Sequence, residues 1–143
     1  MILLLLVELG FRFSGWGGYQ PFLRPAGVLE SGDTLIIVEP AASKPYFYSN
    51  PSRPGYADQS SFVMPKPENT FRIFLLGESA AKGYPQPMNL SMSSFLRAML
   101  KDVAPEKNFE IINMGTTAVA GFPIIYMAED ALNYDPDLII SYT

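Results

Sequence analysis

Midway along the chain, residues 71–83 read Phe-Arg-Ile-Phe-Leu-Leu-Gly-Glu-Ser-Ala-Ala-Lys-Gly. The apolar run from Phe71 to Leu76 predicts a short buried strand that ends at Gly77. Ser79 follows two residues later, so we expect its hydroxyl at the carboxyl edge of a sheet. Open α/β sheets bind their ligands at that edge. Ser79 is therefore a candidate nucleophile, provided that a base lies within reach.

Composition limits the classes of protein that the chain can represent. Its 143 residues are 48% apolar, enough for one folded domain with a real core. The 10 basic and 14 acidic residues give a net charge of −4 without a basic cluster, which argues against nucleic-acid binding. The chain has no cysteine and no histidine, so a thiol nucleophile and the usual base of a serine enzyme are both missing. We predict neither a metal site nor a cofactor.

From residue 71 onward, strand patterns alternate with helix patterns. Apolar residues at helical spacing predict a helix over Met92–Val103, and a second helix opens at Gly121. Phe109–Asn113 and Asp137–Tyr142 have the composition of buried strands. This alternation predicts an α/β fold with a parallel sheet and right-handed crossovers. Because three strands make a small parallel sheet, we expect residues 71–143 to be the amino-terminal half of a domain.

The first half of the chain has a different character. Residues 1–13 are apolar but shorter than the roughly 20 residues that a spanning helix needs. We expect them to be the tail of a membrane anchor, with an ordinary N-terminal helix as the alternative, and we expect a membrane-anchored or extracytoplasmic protein. Residues 14–70 are rich in Gly and Pro, and only Thr34–Val38 has a strand pattern. We predict an extended arm over residues 14–70.

The segment from Gly77 to Gly83 permits three functional interpretations. A phosphate-binding loop requires Gly-Lys-Ser/Thr, whereas Lys82 precedes Gly83 here. The nucleophile elbow of α/β-hydrolases, Gly-x-Ser-x-Gly, is nearly matched, with Ala81 in place of the last glycine. In that fold, however, the elbow follows several strands, and here Phe71 begins the first convincing one.

The third interpretation is a resemblance to the SGNH (GDSL-type) hydrolase superfamily. Residues 77–83 resemble its first block, Gly-Asp-Ser-x-x-x-Gly, with Glu78 in place of Asp. Residues 112–121 resemble its second block, in which Asn-x-Gly is followed by a glycine-containing loop, and Asn113 and Gly115 fill those positions. Each block follows a predicted strand. The resemblance covers residues 71–143 and none of the earlier chain.

The resemblance implies a three-layer, flavodoxin-like α/β domain that hydrolyses esters, as an esterase, acyl hydrolase or deacetylase. Ser79 would attack the ester carbonyl of a small or glycan-linked acyl substrate, and the backbone N–H groups of Ser79 and Gly115 would form the oxyanion hole. The supporting motif positions would be Gly77, Glu78, Gly83 and Asn113. The family's later blocks, Gly-x-Asn-Asp and Asp-x-x-His, match no residue before Thr143. We therefore expect these residues alone to be nearly inactive.

An alternative follows from the same residues. Glu78 in place of Asp, and the missing histidine, are also expected of a non-catalytic SGNH-like module that binds its ligand at a membrane or cell surface. Other polar groups are expected in solvent. They are Lys82 beside the candidate nucleophile, for which an influence on ester binding is the alternative, and four carboxylates on helix ends and turns, Glu129, Asp130, Asp135 and Asp137.

Overall fold

A computed structural model of the chain describes residues 2–14, 20–44 and 55–143. Its helices are α1 (Ile2–Ser14), α2 (Ser79–Lys82), α3 (Met92–Val103) and α4 (Gly121–Leu132). Its strands are β1 (Leu23–Val28), β2 (Thr34–Val38), β3 (Ser61–Met64), β4 (Thr70–Gly77), β5 (Asn108–Asn113) and β6 (Leu138–Tyr142). A short 3₁₀ turn, Met88–Leu90, precedes α3.

The second half of the chain forms a parallel sheet with the strand order β5-β4-β6. The central strand β4 pairs in parallel with β5 on one side and with β6 on the other, so that Ile73 lies opposite both Ile111 and Leu138. The two crossovers run in opposite directions across the sheet, so the right-handed rule for parallel strands predicts α3 and α4 on opposite faces. The predicted α/β class, with its small parallel sheet, is confirmed.

Burial of β4 explains why its sequence is continuously apolar. Successive side chains of a strand point to opposite faces. Phe74 and Leu76 are at most 1% exposed and pack in the main core, and their neighbours Ile73 and Leu75 are just as buried. A parallel strand covered on both faces has this pattern.

The described part of residues 14–70 differs from the expected extended arm. Strands β1, β2 and β3 form an antiparallel sheet in that order, with Leu35 of β2 opposite Val63 of β3. The described prolines do not prevent this sheet because they lie beyond the strand ends or, like Pro25, on the edge strand β1 beside a bulge. The run Thr34–Val38, β-branched except for Leu35, occupies the centre. Residues 15–19 and 45–54 of the predicted arm lie outside the described residues.

The two sheets share one hydrophobic core, so the N-terminal part packs on the parallel sheet. The rings of Phe62 on β3 and Phe74 on β4 meet edge to face, with centroids 5.6 Å apart. Buried residues from both halves belong to this core: Phe22, Leu23, Ile36, Val38, Ala42, Ala57, Phe62, Phe74, Leu76, Ile112, Met114, Val119, Ile124, Met127 and Ala131.

A buried arginine strengthens the junction between the sheets. Arg72 of β4 is fully buried, and its Nη2 donates to the Val63 carbonyl of β3 at 2.9 Å. Its Nη1 donates to the Tyr134 carbonyl at 2.9 Å, and its Nε lies 2.6 Å from Glu110 Oε2. The guanidinium also lies 4.6 Å from the Phe62 ring centroid. These partners compensate the cost of removing the charge from water.

Two of the four carboxylates expected in solvent accept main-chain hydrogen bonds; of these, Asp130 is half-buried and Asp137 is exposed. Asp130 on α4 accepts the main-chain N–H groups of Phe22 and Leu23, and burial raises the pKa of its carboxyl. Asp137 accepts the Arg72 main-chain N–H at 2.6 Å, which lowers its pKa, and it also pairs with Lys66. Asp130 connects α4 to the N-terminal part at Phe22 and Leu23. Asp137 connects the segment before β6 to β4 and to Lys66. Glu129 and Asp135 are exposed, as expected.

Helix α1 contains 13 residues and buries none of them. Within the described ranges, no helix has both the length and the apolar character needed to cross a membrane. Met1 lies outside the described residues. The membrane anchor and the extracytoplasmic location remain predictions.

Candidate functional site

The turn between β4 and α2 places Ser79 at the carboxyl edge of the parallel sheet. Gly77 ends β4 with φ at +151°, and a Cβ there would lie 2.0 Å from the Tyr142 carbonyl oxygen of β6. Only glycine fits this position. Glu78 is the N-terminal cap residue of α2, and Ser79 is its first residue. The N–H groups of a first helical turn have no partner within the helix, so the Ser79 N–H is a donor at this edge.

Ser79 opens onto a cleft of about 460 Å³. The residues that line it come from three parts of the chain: Tyr56, Ser79, Tyr84, Thr117 and Ala118. Ser79 is partly exposed, and nothing among the described residues hydrogen-bonds its hydroxyl. The expected exposed serine at the sheet edge is thus present, with room for a small ligand beside it.

One wall of the cleft comes from the segment 55–58, which precedes the parallel sheet in sequence. The Thr117 N–H donates to the Tyr56 carbonyl at 3.1 Å, and the Tyr56 N–H donates to Thr117 Oγ1 at 3.0 Å. Tyr56 and Tyr84 are 50% and 57% exposed, so both present ring surface to a ligand. Neither tyrosine was predicted from the sequence to line the site. The position of Tyr84, directly after the Gly77–Gly83 segment, could have indicated it.

Asn113 lies at the end of β5 and is 4% exposed. Its Nδ2 donates to the Ala81 carbonyl at 3.0 Å and to Ser93 Oγ at 3.1 Å, while its Oδ1 accepts the Gly115 N–H at 2.8 Å. The side chain therefore fastens α2 and α3 to the loop that follows β5. The structure brings the two predicted blocks together, with Asn113 in a supporting position.

Gly115 packs tightly against α2. A Cβ at this position would lie 2.3 Å from the Lys82 main-chain nitrogen and 2.7 Å from Lys82 Cα. Its N–H, the predicted second oxyanion donor, is directed to Asn113 Oδ1, and Gly115 does not line the cleft. In this arrangement the Gly115 N–H is already used. At the same end of α2, Gly83 closes the helix with φ at +96°.

The expectation that Lys82 is solvated is wrong. Lys82 is 4% exposed, its Nζ lies 3.2 Å from Asp58 Oδ1, and the same atom lies 3.3 Å from the centroid of the Tyr56 ring. Because Asp58 and Tyr56 are more than 20 residues away in sequence, no local pattern reveals these partners. A buried cation therefore lies behind one wall of the Ser79 cleft.

The described residues supply a hydroxyl and a backbone donor, without the histidine that is the usual base of a serine enzyme. The chain has no histidine, and the described residues contain no group of three or more His, Cys, Asp or Glu side chains that could hold a metal ion. The site thus presents a serine hydroxyl to a cleft with room for a small ligand. Comparisons of the chain with protein-family models, with curated proteins and with solved structures find no match.

Proposed function

We propose that Ser79 is the nucleophile of an SGNH-type serine ester hydrolase. The observation that supports this most directly is the position of the Ser79 hydroxyl, which opens onto the 460 Å³ cleft from the first residue of α2. It lies at the end of the central strand, where open α/β sheets place their ligands. The substrate would be an ester of small size or an acylated glycan.

The topology is compatible with the finer fold assignment that this function implies. In chain order, the strands of the parallel sheet are arranged second-first-third. A flavodoxin-like sheet begins with this arrangement, and its ligand lies at the carboxyl ends of the strands. In an SGNH domain the serine block follows the first strand of the sheet, and Ser79 follows β4, the first parallel strand here.

In the proposed reaction, Ser79 Oγ bonds to the ester carbonyl carbon and loses its proton to a base. The alcohol leaves as the tetrahedral intermediate collapses to an acyl-serine, which water then hydrolyses. The Ser79 N–H would stabilise the oxyanion, and loss of one such donor costs about 3 kcal/mol. The Gly115 N–H can join it only after leaving Asn113. The usual histidine base is not among these 143 residues, so the proposal takes the base from outside them. No metal or cofactor takes part in these steps.

The proposal can be tested by adding imidazole to the solution as the missing base. Hydrolysis of 4-nitrophenyl acetate is measured with and without added imidazole, for the parent chain, for Ser79→Ala and for Ser61→Ala, which removes an exposed serine of β3. We expect imidazole to increase turnover by the parent and by Ser61→Ala above the imidazole background. Ser79→Ala should fall to that background. Equal rates for the parent and Ser79→Ala would rule out the nucleophile assignment.

A second readout does not depend on turnover. A fluorophosphonate probe should add one phosphonyl group to the parent chain, detected by intact mass and located on Ser79 by peptide mapping. The adduct should be absent from Ser79→Ala.

A non-catalytic binding module is the second candidate, and one observation favours it. The Gly115 N–H is bonded to Asn113, so the cleft holds one preformed backbone donor fewer than the resemblance implies. A binding module would retain its affinity for an acetylated oligosaccharide in the Ser79→Ala variant and would show no imidazole-dependent turnover. An enzyme would show that turnover.

A further inference from the structure

We propose that Lys82 is a positioning residue that holds the Tyr56 ring as a wall of the Ser79 cleft, against which the ring of an aryl ester packs. This inference rests on the proposed function in one respect, namely that the cleft beside Ser79 is the ligand site. It goes further by assigning a role to the buried cation and a chemical class to the ligand.

The burial of Lys82 requires compensation for its charge. An ammonium group that is 4% exposed is costly to keep without partners. Asp58 Oδ1 at 3.2 Å supplies the opposite charge, and the Tyr56 ring face, with its centroid 3.3 Å from Nζ, supplies a cation–π contact. Both partners belong to the segment 55–58. The ammonium therefore connects this segment to α2.

The backbone of Lys82 is held in place within α2. The Lys82 main-chain N–H donates to the Glu78 carbonyl at 3.0 Å, and Gly115 packs directly on the Lys82 backbone. Ser79 and Lys82 are three residues apart on α2, which makes them neighbours on the helix surface. The nucleophile and the Tyr56 ring are thus placed relative to the same helical turn.

The Tyr56 main chain is held separately from its ring. Hydrogen bonds with Thr117 hold the backbone of Tyr56 beside the loop after β5. The ring is half-exposed and lines the cleft with Ser79, and Tyr84 contributes a second half-exposed ring. Two aromatic surfaces beside one hydroxyl suit a flat apolar group next to an ester carbonyl. Since the Lys82 ammonium is paired with Asp58, it acts through Tyr56 and not as a base.

The experiment removes the chemistry so that binding is measured alone. In a Ser79→Ala background, 4-nitroacetanilide, an unreactive analogue of 4-nitrophenyl acetate, is titrated and its affinity is measured by NMR. We expect Lys82→Met to weaken binding by about 5- to 10-fold, the range that corresponds to loss of a cation–π contact. Lys82→Arg should restore most of the affinity because it keeps a cation at the ring. Lys101→Met, which removes an exposed lysine of α3, should leave the affinity unchanged.

A spectroscopic readout reports the contact itself. A ring centroid 3.3 Å from Nζ should shift the Lys82 Hε protons upfield through the ring current. Tyr56→Phe should keep this shift and the affinity, whereas Tyr56→Leu should lose both. Both Tyr56 variants leave Lys82 paired with Asp58. They therefore still test the proposal if Lys82→Met does not fold.

Three results would overturn the proposal: no upfield shift in the parent, equal affinities for Lys82→Met or Tyr56→Leu and the parent, or no binding of the aryl analogue to the parent. None of these readouts requires Ser79 to react. A failure of the nucleophile assignment, seen as turnover that is independent of Ser79, is therefore distinguishable from a failure of this proposal.

Discussion

Asn113 Oδ1 accepts the Gly115 N–H at 2.8 Å, two residues further along the chain. The same side chain donates through Nδ2 to the Ala81 carbonyl and to Ser93 Oγ. Asn113 thus satisfies a backbone donor, a backbone acceptor and a hydroxyl in a place that water does not reach. Buried polar groups with this many partners are costly to disrupt. The asparagine of the second block therefore has a structural role that is independent of any reaction.

The first prediction concerns this asparagine. Asn113→Ala should lower the free energy of unfolding by about 3 kcal/mol, because the Gly115 N–H and the Ala81 carbonyl lose their partner. Urea denaturation followed by circular dichroism measures the change. Asn113→Asp keeps an acceptor for Gly115 but places a carboxylate oxygen beside the Ala81 carbonyl in a buried site, so at neutral pH it should cost at least as much. An alanine variant as stable as the parent would contradict the structural role.

The second prediction compares two glycines. Gly115→Ala should destabilise the fold by at least about 2 kcal/mol, because the new methyl group would overlap the Lys82 backbone and push α2 away. Gly121→Ala is the matched control, since a Cβ at that position meets nothing within 4 Å. Urea midpoints of the two variants measure the difference. Equal midpoints would mean that α2 does not contact the loop after β5 in solution.

The third prediction concerns the junction of the two sheets. Arg72→Met should cost about 3–5 kcal/mol, since it leaves Glu110 without its cation and two carbonyls without donors. Arg24→Met removes the half-exposed partner of Glu39 on the N-terminal sheet and should cost about 1 kcal/mol or less. Thermal and urea denaturation of both variants test the contrast. Similar losses of stability in the two variants would contradict the larger contribution expected of the buried arginine.

The fourth prediction is a pH dependence. The Arg72 main-chain N–H, aided by Lys66, lowers the pKa of Asp137 in the folded state. The stability that this carboxylate contributes is therefore present above the unfolded pKa of about 3.9 and is lost as the pH falls through the lower, folded value.

Asp137→Asn should consequently be less stable than the parent at pH 7 and should lose less stability on acidification. Urea midpoints between pH 7 and pH 2 measure both effects. Asp102→Asn controls for removal of one negative charge, because Asp102 is exposed on α3. Parallel curves for the parent and Asp137→Asn would refute the assignment.

The parallel sheet and its helices could be predicted from sequence because each carries a local signal. The apolar run around Phe74 and the helical spacing from Met92 to Val103 needed no distant partner. The strands β1 and β3 could not be predicted in this way. Strand β1 contains Pro25 and Gly27, and β3 is four residues long, so both depend on pairing with β2.

The candidate site divides in the same manner. Ser79 and Gly115 follow strand ends and Asn113 ends β5, and their spacing is what made them candidates. Lys82 and Tyr56 could not be recognised as partners, since their contact depends on how the segment 55–58 lies over α2. The acceptor of the Gly115 N–H could not be predicted either, because a sequence motif specifies residue types and not hydrogen-bond partners.

The central position of β4 has a consequence for access to Ser79. Strand β4 is bonded to a neighbour along both edges, so its amide hydrogens should exchange with solvent only when the whole domain unfolds. Tyr56 and Tyr84 lie on connecting segments, whose hydrogen bonds open at lower free energy. The strand that leads into Ser79 should therefore stay in place for the lifetime of the folded state. We expect any motion that admits a ligand to occur in the connecting segments that carry Tyr56 and Tyr84.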